Sequence, residues 1–280
     1  MCGIFGSIGQ KINPGIIRAL AIVNRERGED SLGFFSNSGK FVKCAADPIN
    51  CLCSKDFNTF IDCACQKGWF IAGHTRWATS GTVTSENAHP FRYGRIIGSH
   101  NGIVDAPKTY EVDSEYLFDL LNKSNGDYQK LGGVRGSWAL SWFDGECFYL
   151  QAHNQAIAIG QADNGTWYYS SDLQHLLAAA GFLNKITILQ NNATIRFNIK
   201  SQEFERLPDL IIAKLTKAEK KAKRRLKQQF MGFETHAARI KRAEDNPDPF
   251  NIDNEDSAED KGKWWNEAWG AYVENDERLD

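Results

Sequence analysis

Apolar residues in the first two hundred positions come mostly in short runs broken by glycine, asparagine and aspartate, a pattern of strands joined by turns. Residues 2–9, with Ile4, Phe5 and Ile8, predict a first strand. Asn13-Pro14 then opens a helix to Asn24, with proline at the first position, where its missing N–H leaves no bond unmade. Residues 33–35 and 40–44 predict a hairpin around Ser36-Asn37-Ser38-Gly39, and 57–66 a helix. Residues 69–76 and 96–100 read as strands and 114–122 as a helix. A strand-rich stretch follows at 137–143, 147–152, 156–161 and 166–170, turning at Asp144-Gly145. A helix at 173–180 and two strands flanking Asn191-Asn192 complete the series. Mostly antiparallel strands interspersed with helices predict an α+β fold with two stacked sheets covered by helices.

The pattern ends near Pro208. Residues 208–243 hold 11 Lys/Arg against 3 Asp/Glu, residues 244–280 hold 3 against 13, and residues 1–207 hold 19 of each sign. Three parts follow: a neutral domain at 1–207, a basic helical segment at 208–243, and an acidic, flexible tail at 244–280. The tail ends in Trp264-Trp265-Asn266-Glu267-Ala268-Trp269, an aromatic cluster suited to docking on a protein partner. Nucleic-acid binding through the basic helix ranks last, because the neighbouring acidic segment would compete with phosphates.

With 42% hydrophobic residues, the 280-residue chain has enough apolar material for a sizeable core. No apolar run is long enough to span a membrane, and Met-Cys-Gly lacks the basic and apolar regions of a secretory signal, so a cytoplasmic protein is expected. Seven cysteines, an odd number, argue against a complete disulfide framework. Cys44, Cys51, Cys53, Cys63 and Cys65 cluster, and two Cys-X-Cys pairs leave a zinc site open. The spacing is not Cys-X₂-Cys, and i, i+2 positions on a helix diverge, which favours packed free thiols.

Chemistry enters at Cys2, within Met1-Cys2-Gly3-Ile4-Phe5-Gly6. Removal of Met1 would put a thiol nucleophile and an α-amine on one residue, the amine titrating at about 7.7–8.0. Alone, the hexapeptide reads equally well as the start of a buried strand. Downstream stand Gly73-His74-Thr75-Arg76-Trp77-Ala78-Thr79-Ser80-Gly81, Asn87-Ala88-His89-Pro90-Phe91 and His100-Asn101-Gly102-Ile103-Val104. Arg27-Gly28-Glu29-Asp30-Ser31-Leu32-Gly33 and Asp113-Ser114-Glu115 complete the set. In this order, over about residues 2–200, the motifs resemble the glutaminase domain of class II glutamine amidotransferases, which are N-terminal-nucleophile hydrolases. The likeness is greatest to the glutaminase half of glucosamine-6-phosphate synthase, although Ser80 stands where that branch usually has histidine.

The resemblance implies a four-layer α-β-β-α sandwich and a reaction in which the Cys2 thiol attacks the side-chain amide of L-glutamine, forming a thioester and releasing ammonia, then glutamate. No organic cofactor or metal is implied. Arg76 would grip the α-carboxylate, Asp113 the α-ammonium, and Asn101 and Gly102 the oxyanion. Trp77, Thr79 and Arg27 would line or support the pocket. Each residue also has an ordinary reading. Arg76 could sit in a surface ion pair, Asp113 could cap a helix, and Asn-Gly alone is a strong hairpin turn. His74, His89 and His100 lack the spacing of metal ligands and read as structural hydrogen-bonding groups. Ammonia would pass to a separate synthase or transferase partner, docked by residues 208–280. The alternatives are a free-standing amidohydrolase acting on a γ-glutamyl compound, and a catalytically silent binding module of the same fold.

Overall fold

The short apolar runs form thirteen strands among residues 2–213, the residues that the computed structural model describes. The first stretch gives β1 (Gly3–Ile8), α1 (Pro14–Asn24), β2 (Ser31–Ser36), β3 (Phe41–Cys44), α2 (Pro48–Leu52), α3 (Lys55–Lys67) and β4 (Phe70–Arg76). The middle gives β5 (Phe91–Tyr93), β6 (Ile96–Val104), α4 (Asp113–Lys123), β7 (Gly136–Phe143) and β8 (Cys147–His153). The last gives β9 (Ile157–Gln161), β10 (Trp167–Ser170), α5 (Leu173–Ala180), β11 (Asn184–Leu189), β12 (Thr194–Asn198) and β13 (Glu203–Leu207).

Helix ends follow local chemistry. The Asn13 side chain accepts the Gly15 N–H at 2.8 Å and Pro14 begins α1. Ser54 accepts from Phe57 at the start of α3, and Asp172 accepts from Gln174 and His175 at the start of α5. These caps satisfy N–H groups that have no partner within a helix.

Seven strands form one sheet in the order β11-β9-β10-β1-β4-β2-β3, and six form a second in the order β13-β12-β8-β7-β6-β5. All these pairings are antiparallel. Side chains alternate across a strand. Ile4, Ile8, Phe35, Phe70 and Ala72 of the first sheet therefore meet Ile97, Ala139, Phe143, Phe148 and Leu150 of the second in a buried layer between them. The opposite parity, Phe5, Leu32, Phe34 and Ile71, packs under α1, α3 and α5 through Ile17, Leu20, Phe57, Ile61 and Leu176. On the far side Trp138, Leu140 and Trp142 pack under α4 through Leu117, Phe118 and Leu121. Four layers result: helix, sheet, sheet, helix.

One reading of the sequence needs correction. β6 does not stop at His100 but continues to Val104, with Asn101 opposite Ala139 and Gly102 opposite Trp138 on β7. Asn101-Gly102 is therefore a point within a strand and not a hairpin turn. Strands do flank Asn191-Asn192, whose φ values are 56° and 72°; β11 lies in the first sheet and β12 in the second, so the chain crosses between layers there. The short strands β5 and β13 carry no marked pattern of their own and gain their form from their neighbours β6 and β12.

The described domain extends past residue 207. Residues 208–213 carry neither helix nor strand; Leu210 is buried, its N–H bonds the Asn192 carbonyl at 2.9 Å, and the Ala213 N–H bonds the Gly132 carbonyl at 2.8 Å. The expected basic helix beyond that point, the acidic tail and the tryptophan cluster lie outside the described residues. Among the described residues no helix is long and apolar enough to cross a membrane.

Phe70 joins the two sheets: it is fully buried, and its ring stacks on Phe148 with centroids 4.3 Å apart. Phe70→Ala is expected to lower unfolding stability by about 3–5 kcal/mol, through lost burial and an unfilled cavity. A shift of the urea midpoint with unchanged slope checks this; a loss under 1 kcal/mol would place the inter-sheet core elsewhere.

Candidate active site

Strand parity brings the sequence motifs together. Ile4 and Ile8 face the inter-sheet layer, and Cys2 shares their parity just ahead of β1. Phe70 and Ala72 face it from β4, so His74 and Arg76 follow on the same face. Ile97 faces it from β6, and Ser99 and Asn101 follow. Register aligns the ends: Gly3 pairs with Thr75 and Ser31 with Arg76. One end of the sandwich therefore holds Cys2, His74, Arg76 and Asn101.

Cys2 is half-buried, and its thiol donates to the Trp77 carbonyl at 3.6 Å. Burial pushes the thiol pKa up; the Arg76 charge draws it down and Asp113 pushes it up, so both charges are felt at the sulfur. The Arg27 guanidinium is engaged within the protein. Its Nε donates to the Cys2 carbonyl at 2.9 Å, and its Nη1 meets Asp172 at 3.1 Å. This clamp fixes the backbone of Cys2 from behind.

Arg76 is buried and not part of a surface ion pair; its guanidinium donates to the Ser80 and Thr82 carbonyls of the following loop. The loop is tied at its base as well, where the Asp30 carboxylate accepts the Ala78 N–H at 2.7 Å. Farther along, Glu111 accepts from the Asn87 amide at 2.7 Å and from the Thr82 hydroxyl at 3.0 Å. Trp77 is half exposed, and Thr79 and Ser80 are exposed on the same loop. Asp113 occupies the first turn of α4 and accepts the Val104 N–H at 2.9 Å, which ties the helix to the end of β6.

Asn101 is buried, and its side-chain N–H group has no partner among the described residues. A donor left unpaired in a protein interior costs about 1–3 kcal/mol, so this amide is held at a cost to stability. Gly102 follows with φ of +148°; a Cβ there would lie 2.0 Å from the Ser137 carbonyl oxygen, so only glycine fits.

Burial makes the charged form of all three histidines unfavourable. Burial pushes His74 down to about 3, lowers His89 well below the ordinary histidine range, and lowers His100 against the opposing pull of Asp113. His74 Nε2 donates to the His100 carbonyl at 3.0 Å, which fixes its proton on that nitrogen and ties the two sheets together. His100 Nδ1 bonds the Ser114 hydroxyl at 2.8 Å. Among the described residues no group of three or more His, Cys, Asp or Glu is placed to hold a metal. Cys51 and Cys65 are packed in the core beneath α1, while Cys53 and Cys63 point to solvent.

Sequence reasoning missed Asp172 and Glu111, whose partners lie far away along the chain and leave no local pattern. Asp30 stood inside a motif but was not singled out, since its task shows only when the loop folds back on it.

No protein-family model matches the chain. Glutamine--fructose-6-phosphate aminotransferase (isomerizing) of Lactococcus lactis subsp. lactis is 27% identical over 226 residues, covering 78% of this chain and 36% of that protein. The protein of the same name from Rhizobium meliloti is 30% identical over 215 residues, covering 68% and 34%. Glutamine phosphoribosylpyrophosphate amidotransferase from B. subtilis superposes with a TM-score of 0.57 at 17% identity, over 73% of this chain and 49% of that one. At that identity the superposition speaks to the fold. The chain carries a class II glutamine amidotransferase domain. The amidotransferase domain has the N-terminal-nucleophile hydrolase fold. This chain spans about a third of the length of the curated relatives it matches.

Thiol chemistry in the amidotransferase domain should be selective. Burial pushes Cys51 and Cys65 up to about 12 and raises Cys147. A raised thiol pKa leaves little thiolate near neutrality. Iodoacetamide at pH 8 is expected to label Cys53 and Cys63 well before Cys51, Cys65 and Cys147, which are spared until the protein unfolds. Peptide mass mapping reads the order, and early labelling of Cys65 would contradict it.

Proposed function

We propose that the domain hydrolyses the side-chain amide of L-glutamine through a thioester on Cys2. The observation that carries this is the buried amide N–H of Asn101, unpartnered among the described residues, which faces the inter-sheet layer from the second sheet as Cys2 and Arg76 face it from the first. The reading requires removal of Met1, which exposes the α-amine of Cys2.

The amine takes the thiol proton, directly or through one water, and sulfur attacks the amide carbon. Negative charge then develops on the amide oxygen. The Asn101 Nδ2–H and the Gly102 N–H receive it, a gain made only as the tetrahedral species forms. Collapse expels ammonia, which leaves with the proton held by the amine. Water then attacks the thioester, releasing glutamate and restoring the thiol. Arg76 binds the α-carboxylate; two of its five N–H donors meet loop carbonyls, so others remain for the substrate. Asp113 binds the α-ammonium, its carboxylate steadied by the Val104 N–H. Trp77 and Thr79 stand exposed on the loop that follows Arg76, where they meet the incoming substrate, and Arg27 holds the nucleophile's backbone. Ammonia is passed to an acceptor on a protein partner or on a further domain, and residues 208–280 contribute to that docking.

Cys2→Ala is expected to abolish glutamate release from glutamine, whereas Cys147→Ala retains it; equal activity in the two would remove the nucleophile from Cys2. Asn101→Ala should lower kcat by about 10²–10³ with KM little changed. Asp113→Ala should act chiefly by raising KM, and an unchanged KM would count against its role. Intact mass of the active enzyme should lack the starting methionine. Faster turnover of another γ-glutamyl compound than of glutamine would instead favour the free-standing amidohydrolase.

A further inference from the structure

Lys43 belongs to no motif, yet it stands where the substrate loop returns to the first sheet. It lies on β3, opposite Gly33 of β2. Its ammonium donates to three backbone carbonyls, those of Glu86 at 3.0 Å, Ala88 at 2.8 Å and Pro90 at 3.4 Å. An ammonium has three donors, so all are engaged. Burial lowers its pKa, as befits a charge drawn partly out of water, while Glu86 and Glu115 work in the opposite sense. The amine also lies over the Phe91 ring, 5.4 Å from its centroid. Opposite it, Gly33 is bare for a reason: a Cβ there would lie 1.9 Å from the His89 carbonyl oxygen. The 86–90 segment is thus pressed against β2 and held by one cation.

Two paths run from that clamp into the site. Along the first, His89 stands between the gripped carbonyls of Ala88 and Pro90, and its ring packs on His74 with centroids 3.8 Å apart. His74 in turn holds the His100 carbonyl, the peptide just before Asn101. Along the second, the Asn87 amide donates to the Thr82 carbonyl at 3.1 Å, the same oxygen that Arg76 reaches at 3.1 Å.

We propose that Lys43 is a positioning residue for the amino-acid substrate: by gripping three carbonyls of residues 86–90 it fixes the loop that orients Arg76 and the histidine pair that backs Asn101. The inference rests on the glutamine reading given above. Charge-assisted bonds to fixed carbonyls are stronger than neutral ones, so their loss frees the whole segment. Since the shorter path leads to Arg76, the main effect falls on substrate binding.

Lys43→Met keeps the aliphatic stem and removes the donors; Lys43→Arg restores several. Kinetics with glutamine, thermal melting and amide hydrogen exchange of peptides covering residues 80–90 are measured on the full chain. Lys43→Met is expected to raise KM for glutamine roughly tenfold, with kcat within about threefold, and to speed exchange in 80–90 while peptides of β7 and β8 stay protected. Lys43→Arg should return KM to within about threefold of wild type. Unchanged exchange in 80–90 would overturn the clamp. Faster exchange or a lower melting point with unchanged KM would overturn the positioning role and leave Lys43 a structural tie. A wild-type chain that turns over no glutamine would overturn the functional reading itself, and with it this role, even if the exchange result held.

Discussion

The antiparallel register of β1 against β4 governs the site. Gly3 opposite Thr75 sets Cys2 beside Arg76, and a slip of one residue would turn one of the two away from the inter-sheet space. Both strands lie in the middle of a seven-stranded sheet, with neighbours on each side and apolar layers on both faces. A slip would expose Ile4 and Ile8 to the wrong layer along with the functional groups. The same hydrophobic pattern that builds the core thereby fixes the nucleophile relative to the guanidinium.

Across the gap, one imidazole sets the second sheet's contribution. The His74 bond to the His100 carbonyl spans the two sheets at the end where Asn101 stands. A protonated imidazole would be held poorly there, since burial penalises its charge and the neighbouring His100 and Arg76 oppose it as well. His74 and His100 hydrogen-bond through their rings, to the His100 carbonyl and the Ser114 hydroxyl, whereas His89 packs its ring on His74. Several buried polar groups in this region remain unpartnered, among them Ser31, Ser99 and the His89 ring. Such groups lower stability by about 1–3 kcal/mol each, and the packed layers on either side must outweigh them.

Much of this arrangement was legible in the residues. The helix at Pro14–Asn24 was written in Asn13-Pro14 and in the spacing of Ile17, Leu20, Ala21 and Asn24. The strands leading to Arg76 and Asn101 were visible because both carry dense apolar runs. Asn101-Gly102 misled as a possible turn, since local propensity favours one; eight residues of pairing with β7 outweigh that preference. Arg27 was drawn into the right neighbourhood for another reason, because its contact with the Cys2 carbonyl depends on a fold-back that no local pattern encodes. Asp172, Glu111 and Lys43 were invisible on the same ground, as each works on groups brought near only by the tertiary fold.

The strap formed by residues 208–213 bears on where this domain can be severed. Leu210 fills a place among Leu131, Leu207 and Val134 beneath the second sheet, and the Tyr128 hydroxyl reaches over to the Pro208 carbonyl at 2.7 Å. Cutting at the visible end of β13 would strip an apolar plug from the bottom of the sandwich and leave Leu131 facing water. A stable excised piece must therefore keep its seemingly idle hexapeptide, which serves as a fastening and not as mere linker.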